Sequence, residues 1–269
     1  MGLASAAAGA RLIAHDEIDS TNAEAIRLAR AGETGPVWIT AKQQHAGRGR
    51  RGRTWVSPPG NLYATLLVTD PSPPDVAPQL SFVAAVALHD AVADVAAAIG
   101  PRLTLKWPND MLCGGAKLAG ILVEGEGQRP LAVAVGIGVN CAHHPDETDF
   151  PATDLEAEGV VVTPEQLFHA LSATMVQRLR QWERGEGFAA TRTDWIKRAS
   201  GLGHEIRVRL TDRDVIGTFR EIDTSGRLVL QLASGDVEVI AAGDVFPFSS
   251  APTATQSQRR LEPRDGESR

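Results

Sequence analysis

The spacing of apolar and polar positions divides the chain into a long region of mixed helix and strand periods and a shorter region of strand period alone. The run after Asp19-Ser20-Thr21-Asn22 has apolar residues at helical spacing (Ala25, Ile26, Leu28, Ala29), with Thr21 and Glu24 placed as a capping box and Gly32 as the stop. Strands are predicted at Pro36–Ala41 and Asn61–Thr69, and the Pro-rich stretch 71–78 reads as a connector. An Ala-rich segment predicts a helix over Ser81–Ile99, closed by Gly100-Pro101. Four strand-like runs follow, at Leu103–Trp107, Met111–Cys113, Leu118–Glu124 and Leu131–Val139, with Gly114-Gly115 suited to a hairpin turn. Helices are expected over Pro164–Trp182 and Phe188–Arg198. From Glu205 to Phe246 the period becomes two, in short runs broken at 211–213, 224–226 and 234–236, which predicts a small all-β module, a barrel. The expected organisation is 1–200 as one domain, 201–249 as a second, and 250–269 as a disordered tail poor in apolar residues.

Composition narrows the class. With 43% hydrophobic and 22% charged residues the chain resembles an ordinary globular protein, and a net charge of −6 argues against a general nucleic-acid binder. Its two cysteines, Cys113 and Cys141, form no CxxC pair, so reduced, buried thiols in a cytoplasmic protein are expected. The first residues lack the basic and apolar regions of a signal peptide, and no apolar run approaches the roughly 20 residues that span a bilayer. A soluble, cytoplasmic protein with no membrane or nucleic-acid partner is expected.

One segment departs from the background. Gly47-Arg48-Gly49-Arg50-Arg51-Gly52 formally matches GxGxxG, but a dinucleotide loop must open into a helix, and Pro58-Pro59-Gly60 cannot carry one forward. No Gly-Lys-Ser/Thr closes the run as a Walker loop would. A solvated basic loop and an RNA-binding Arg-Gly segment remain open on the residues alone. Four arginines through Arg53, with Lys42 upstream and no acid between, make a positive field whose guanidinium forks suit carboxylate and phosphate oxygens. Such a loop could order over an anionic ligand.

The run belongs to a larger constellation: Ser20-Thr21-Asn22, Gln44 before GRGRRGR with Trp55 after it, KWPND at 106–110, KLAGILVE at 117–124 and GIGVN at 136–140. In order and spacing these motifs resemble the biotin–protein ligases (biotin–[acetyl-CoA-carboxylase] ligases), over roughly residues 16–248. The resemblance implies an α/β (α+β) catalytic domain with a mixed, largely antiparallel sheet, followed by an SH3-like barrel. It implies ATP-dependent activation of biotin to biotinyl-5′-AMP, then transfer to a lysine of a biotin carboxyl carrier domain. Ser20, Thr21, Asn22, Gln44, Gly47, Arg48, Lys117 and Gly120 resemble the biotin-binding positions. Arg50, Arg51, Arg53, Trp55, Lys106, Asn109 and Asn140 resemble the ATP-binding ones. Lys117, Arg48 and Arg50 are the candidate catalytic groups. ATP with Mg²⁺ is the expected co-substrate, and Asp110 is the candidate metal ligand, by carboxylate type and neighbourhood only.

Each motif has a plainer reading by itself. Ser20 and Thr21 could simply cap a helix, KWPND could be an ordinary turn, Gly136 and Gly138 a bulge, and Lys117 a solvent-facing lysine. His143-His144 is no metal motif, because neighbours on an extended chain point apart. Few residues precede Ser20, so the repressor activity of relatives with an added DNA-binding domain is not expected. A lipoate–protein ligase is the nearest rival enzyme, and an RNA-binding module the rival from another class.

Overall fold

A computed structural model describes residues 1–127, 130–146 and 148–247. The chain begins with a one-turn helix, α1 (Leu3–Ala7), and a strand, β1 (Arg11–Ile18), neither of which the periodicity predicted. β1 is an edge strand with no fully buried residue, so apolar alternation is nearly absent from it. Helix α2 (Thr21–Arg30) is capped by Ser20, whose Oγ accepts from the Ala23 N–H. The expected Thr21–Glu24 capping box is therefore corrected. Thr21 lies inside the helix, Glu24 pairs with Arg27, and the Thr21 hydroxyl is directed elsewhere.

Strands β2 (Val37–Gln44) and β3 (Leu62–Thr69) follow, then α3 (Leu80–Val95). The helix expected to reach Ile99 stops at Val95 and continues as a 3₁₀ segment, Ala97–Arg102. Strands β4 (Leu103–Lys106), β5 (Asp110–Cys113), β6 (Ala116–Glu126) and β7 (Ala132–Val139) complete a seven-stranded sheet in the order β1-β2-β3-β7-β6-β5-β4. Only the β1–β2 pair is parallel, so the sheet is mixed and largely antiparallel as expected. Helices α4 (Pro164–Trp182) and α5 (Phe188–Ile196) follow; a capping box of Thr163 and Gln166 starts α4.

Helices α3 and α4 cover one face of the sheet, and α5 packs against them. Ten of the sixteen residues of α3 are buried, which is why its Ala-rich sequence shows no polar stripe. The opposite face is covered at one end only, where Ala25 of α2 packs with Val37, Ile39, Leu67, Ala132 and Ala134 of the sheet. The rest of that face is left open, and this decides where a ligand can lie. A second, antiparallel sheet is built from β8 (Glu205–Arg209), β9 (Asp214–Ile222), β10 (Leu228–Gln231), β11 (Val237–Ile240) and β12 (Asp244–Pro247), in the order β11-β10-β9-β8-β12. Its inner side chains, Phe219, Leu230 and Val245 among them, join the main core. It is fastened near KWPND, where the Trp107 indole N–H donates to the Gly226 carbonyl at 3.1 Å. The tail expected at 250–269 lies outside the described residues. No helix among those residues is long and apolar enough to cross a membrane.

Candidate active site

Strand register places the site. Tyr63 on β3, Gly138 on β7, Gly120 on β6, Asp110 on β5 and Lys106 on β4 are successive cross-strand partners, so they share one row on the open face. The neighbouring row runs Thr65, Gly136, Leu122. Glycines at the centre of both rows turn a flat sheet into a trough. A Cβ at Gly136 would stand 2.0 Å from Asn22 Oδ1, and one at Gly138 2.6 Å from Trp55 Nε1. At Gly120 it would meet the Trp55 ring at 3.1 Å. The β6–β7 ladder is regular across these positions, so the glycines mark no bulge. They make room for Asn22 from α2 and Trp55 from the loop.

The resulting cavity, about 440 Å³, is lined by nearly every residue the motifs singled out. Gly47 and Arg51 are the exceptions. Gly47 packs so closely under Trp55 and Ser57 that a Cβ would lie 2.4 Å from the Trp55 carbonyl oxygen, so its role is to let the loop turn. Arg51 adopts a left-handed conformation (φ 56°) and points toward the second sheet.

One end of the cavity is neutral and polar. Gln44 Oε1 accepts from the Thr21 N–H at 2.9 Å and from its hydroxyl at 3.1 Å, while Gln44 Nε2 donates to Ser57 Oγ at 2.9 Å. Thr65 Oγ1 lies 2.8 Å from Thr21 Oγ1 and 2.7 Å from Asn22 Oδ1, and Asn22 Nδ2 donates to Glu124 and to the Leu122 carbonyl. These groups offer donors and acceptors held in place by each other.

The other end is cationic. Asp110 is buried, with Lys117 Nζ at 2.7 Å and Lys106 Nζ at 3.1 Å. Burial alone would raise the Asp110 carboxyl, but the two ammonium groups outweigh it and hold it below the ordinary carboxylate range. Burial pushes the Lys106 ammonium down, with Asp110 acting against the shift; its Nζ also sits 3.8 Å from the centre of the Phe150 ring. Arg50 reaches Asn109 Oδ1 and the Gly243 carbonyl, both at 3.3 Å, and its burial lowers its pKa. Arg53 and Arg51 pair with Asp244 at 2.7 and 3.4 Å, and Arg48 pairs with Glu124 at 3.0 Å. The Arg loop is therefore no free basic tail; it is a hairpin-like turn, bridged Arg48 to Thr54, leaning on β12. Trp55 Nε1 is buried without a hydrogen-bond partner.

Two of the candidate residues are engaged by protein partners. Asn140 lines the cavity, but its amide donates to the Thr153 carbonyl at 3.0 Å and ties the 151–155 segment to the sheet. Asp110 as a metal ligand is not supported, since both carboxylate oxygens face ammonium groups. Among the described residues no group of three or more His, Cys, Asp or Glu could hold a metal ion. Sequence reasoning also missed Tyr63, Thr65, Phe150, Asp244 and Phe246. Thr65 and Tyr63 sit inside an apolar strand, and Asp244 matters only because β12 packs against the Arg loop.

A family model described as the biotin/lipoate A/B protein ligase family matches residues 15–140, and one for the biotin protein ligase C-terminal domain matches 201–246. The chain is 44% identical to a biotin–[acetyl-CoA-carboxylase] ligase of Paracoccus denitrificans, over 85% of this chain and 97% of that one. The chain belongs to the biotin protein ligase family. Its fold matches the biotin protein ligase of Aquifex aeolicus in complex with biotin and ATP (TM-score 0.75, 25% identity, 88% of this chain and 97% of that one). It also matches the Leishmania major biotin protein ligase in complex with biotinyl-5-AMP (TM-score 0.61, 27% identity, 86% and 99%). In this biotin protein ligase family member the cavity is lined mainly by residues of the matched region 15–140, with Asp244 and Phe246 from 201–246 and Pro145, Thr148, Asp149, Phe150 and Ala152 from between the two.

Proposed function

We propose that this chain is an ATP-dependent biotin–protein ligase that joins biotin to a lysine of a biotin carboxyl carrier domain, in the cytoplasm. The observation that carries this reading is a single trough with a neutral hydrogen-bonding end and a cationic end, on the open face of the sheet. The Ser20, Thr21, Asn22 and Gln44 cluster suits a urea ring, which needs both donors and acceptors. The aliphatic chain of biotin then passes beside Trp55, which lies over Gly120 and Gly138, toward Lys117 and Arg48. ATP lies against Trp55, Asn109, Lys106 and the arginines of the loop.

In the first step a biotin carboxylate oxygen attacks the α-phosphorus, the bond to the β-phosphate bridging oxygen breaks, and pyrophosphate leaves. Both reactants are anions, so Lys117, Arg48 and Arg50 lower the barrier by offsetting charge that grows between them. In the second step the acceptor amine attacks the acyl carbon, the acyl C–O bond breaks with its electron pair leaving on AMP, and the amine loses a proton. Phosphates would draw Arg50, Arg51 and Arg53 away from Asp244, and the loop would then cover the adenylate and keep water from it. Mg²⁺ would arrive with the nucleotide phosphates; the residues around Asp110 do not fit a metal of their own, and no step is drawn through one. Residues 1–200 carry the chemistry in this reading, and 201–249 supply the Asp244 and Phe246 wall.

The deciding test is incubation with ATP, labelled biotin and candidate carrier domains. ATP-dependent label on one carrier lysine is the expected outcome. ATP–pyrophosphate exchange that responds to lipoate and not to biotin would reject the reading.

A further inference from the structure

A second cavity, about 340 Å³, lies on the opposite face of the sheet, between β2 and β3 and helix α4, with α1 and the 34–36 turn closing one side. We propose that it is a binding site for an aliphatic monocarboxylate of roughly ten carbons, distinct from the biotin and ATP trough.

The interior has the chemistry of a carbon chain's surroundings. Trp38, Leu66, Val68, Met175, Val176 and Leu179 supply large apolar side chains to its wall. Among the polar groups nearby, the Thr69 hydroxyl is buried without a hydrogen-bond partner, whereas three others are committed. Ser5 Oγ accepts from the Trp38 indole N–H at 3.2 Å, Ser172 Oγ accepts from the Gly2 N–H at 2.7 Å, and the Trp182 indole N–H donates to Gln79 at 2.8 Å. A mainly apolar space with this one unpaired buried hydroxyl holds water poorly, because water needs two or more polar partners. An apolar guest meets no such penalty.

The rim has the opposite character. Arg180 and Arg184 line it and are exposed. On the same helix Arg178 is fixed between Asp90 and Asp194, whereas Arg180 and Arg184 make no ion pair among the described residues. Arg184 is held in a left-handed conformation (φ 59°) by the turn that ends α4, a costly state for a residue other than glycine. The following Gly185 also has a positive φ (110°), and a Cβ there would lie 3.2 Å from Val76. Two guanidiniums at the mouth of a mainly apolar pocket fit a carboxylate head with its tail inside.

The test is titration of the full-length protein with decanoate in saturating biotin, following tryptophan fluorescence, since Trp38 and Trp182 line the cavity. Biotin is present because the trough also accepts a carboxylate on an aliphatic chain. The expected result is saturable binding that biotin does not displace, weaker by about tenfold for each of Arg180→Glu and Arg184→Glu, and lost in Val176→Phe. The arginines are exposed, so their variants remain informative if Val176→Phe does not fold. Decyltrimethylammonium, with the same tail and a cationic head, should bind less well than decanoate. Absence of saturable binding, displacement by biotin, or unchanged affinity in both arginine variants would overturn the proposal.

Discussion

Replacing Gly136 by alanine tests whether the glycines shape the trough by admitting neighbouring side chains. The new Cβ would lie 2.0 Å from Asn22 Oδ1 and 2.8 Å from its Cγ, against an optimal separation of about 3.5 Å. β7 is paired on both sides by β3 and β6, so the strand cannot yield, and Asn22 must retreat by more than an ångström. It then loses its bonds to Glu124 (2.8 Å), the Leu122 carbonyl (3.2 Å) and the Thr65 hydroxyl (2.7 Å). At about 1 kcal/mol for each, and more for the carboxylate partner, the cost is about 2–4 kcal/mol. For a chain of this size that lowers Tm by about 5–15 °C. Calorimetry reads this directly, and isothermal titration should show biotin affinity falling with it, because Thr21 shares the Thr65 hydroxyl. The control is Asn22→Ala, which empties the contested space. In that background Gly136→Ala should be nearly neutral, giving a coupling as large as the single-mutant cost. Equal cost in both backgrounds would refute the reasoning and point to a backbone requirement at Gly136.

Three further outcomes follow from the cationic end. Lys117→Ala should lose most ATP–pyrophosphate exchange while keeping its melting transition, because Lys106 still pairs with Asp110; near-normal exchange would remove Lys117 from the chemistry. Asp244→Ala frees Arg51 and Arg53 for phosphate, so ATP affinity at low salt should rise by about two- to fivefold, and a fall would mean that Asp244 positions the loop instead. Asp110→Asn should be less stable at pH 7. The folded Asp110 carboxyl titrates below its ordinary value, so its contribution is full above about pH 4 and lost as pH falls through the lower folded value. The stability gap between the two proteins should therefore narrow below about pH 4, and a constant gap in urea titrations would count against the paired carboxylate.

Much of this protein is set by local pattern. The period-two runs, the helix from Pro164 to Trp182 and the break near Gly201 follow from hydrophobic spacing and turn residues, which act over a few positions. So does the rejection of a dinucleotide loop at Gly47, since Pro58 and Pro59 forbid the helix it needs. The motifs also named most of the trough, because Ser20-Thr21-Asn22, GRGRRGR, KWPND and KLAG each keep their residues close together in sequence. Register decided the rest. A cross-strand row joins Tyr63, Gly138, Gly120, Asp110 and Lys106, which no sequence period relates. An edge strand such as β1 buries too little to leave a pattern. The partners that turn the Arg run from a solvated stretch into a wall, Glu124 and Asp244, lie 76 and 191 positions from Arg48 and Arg53. Attraction between such groups depends on distance in space, and only the packed sheets bring them within reach.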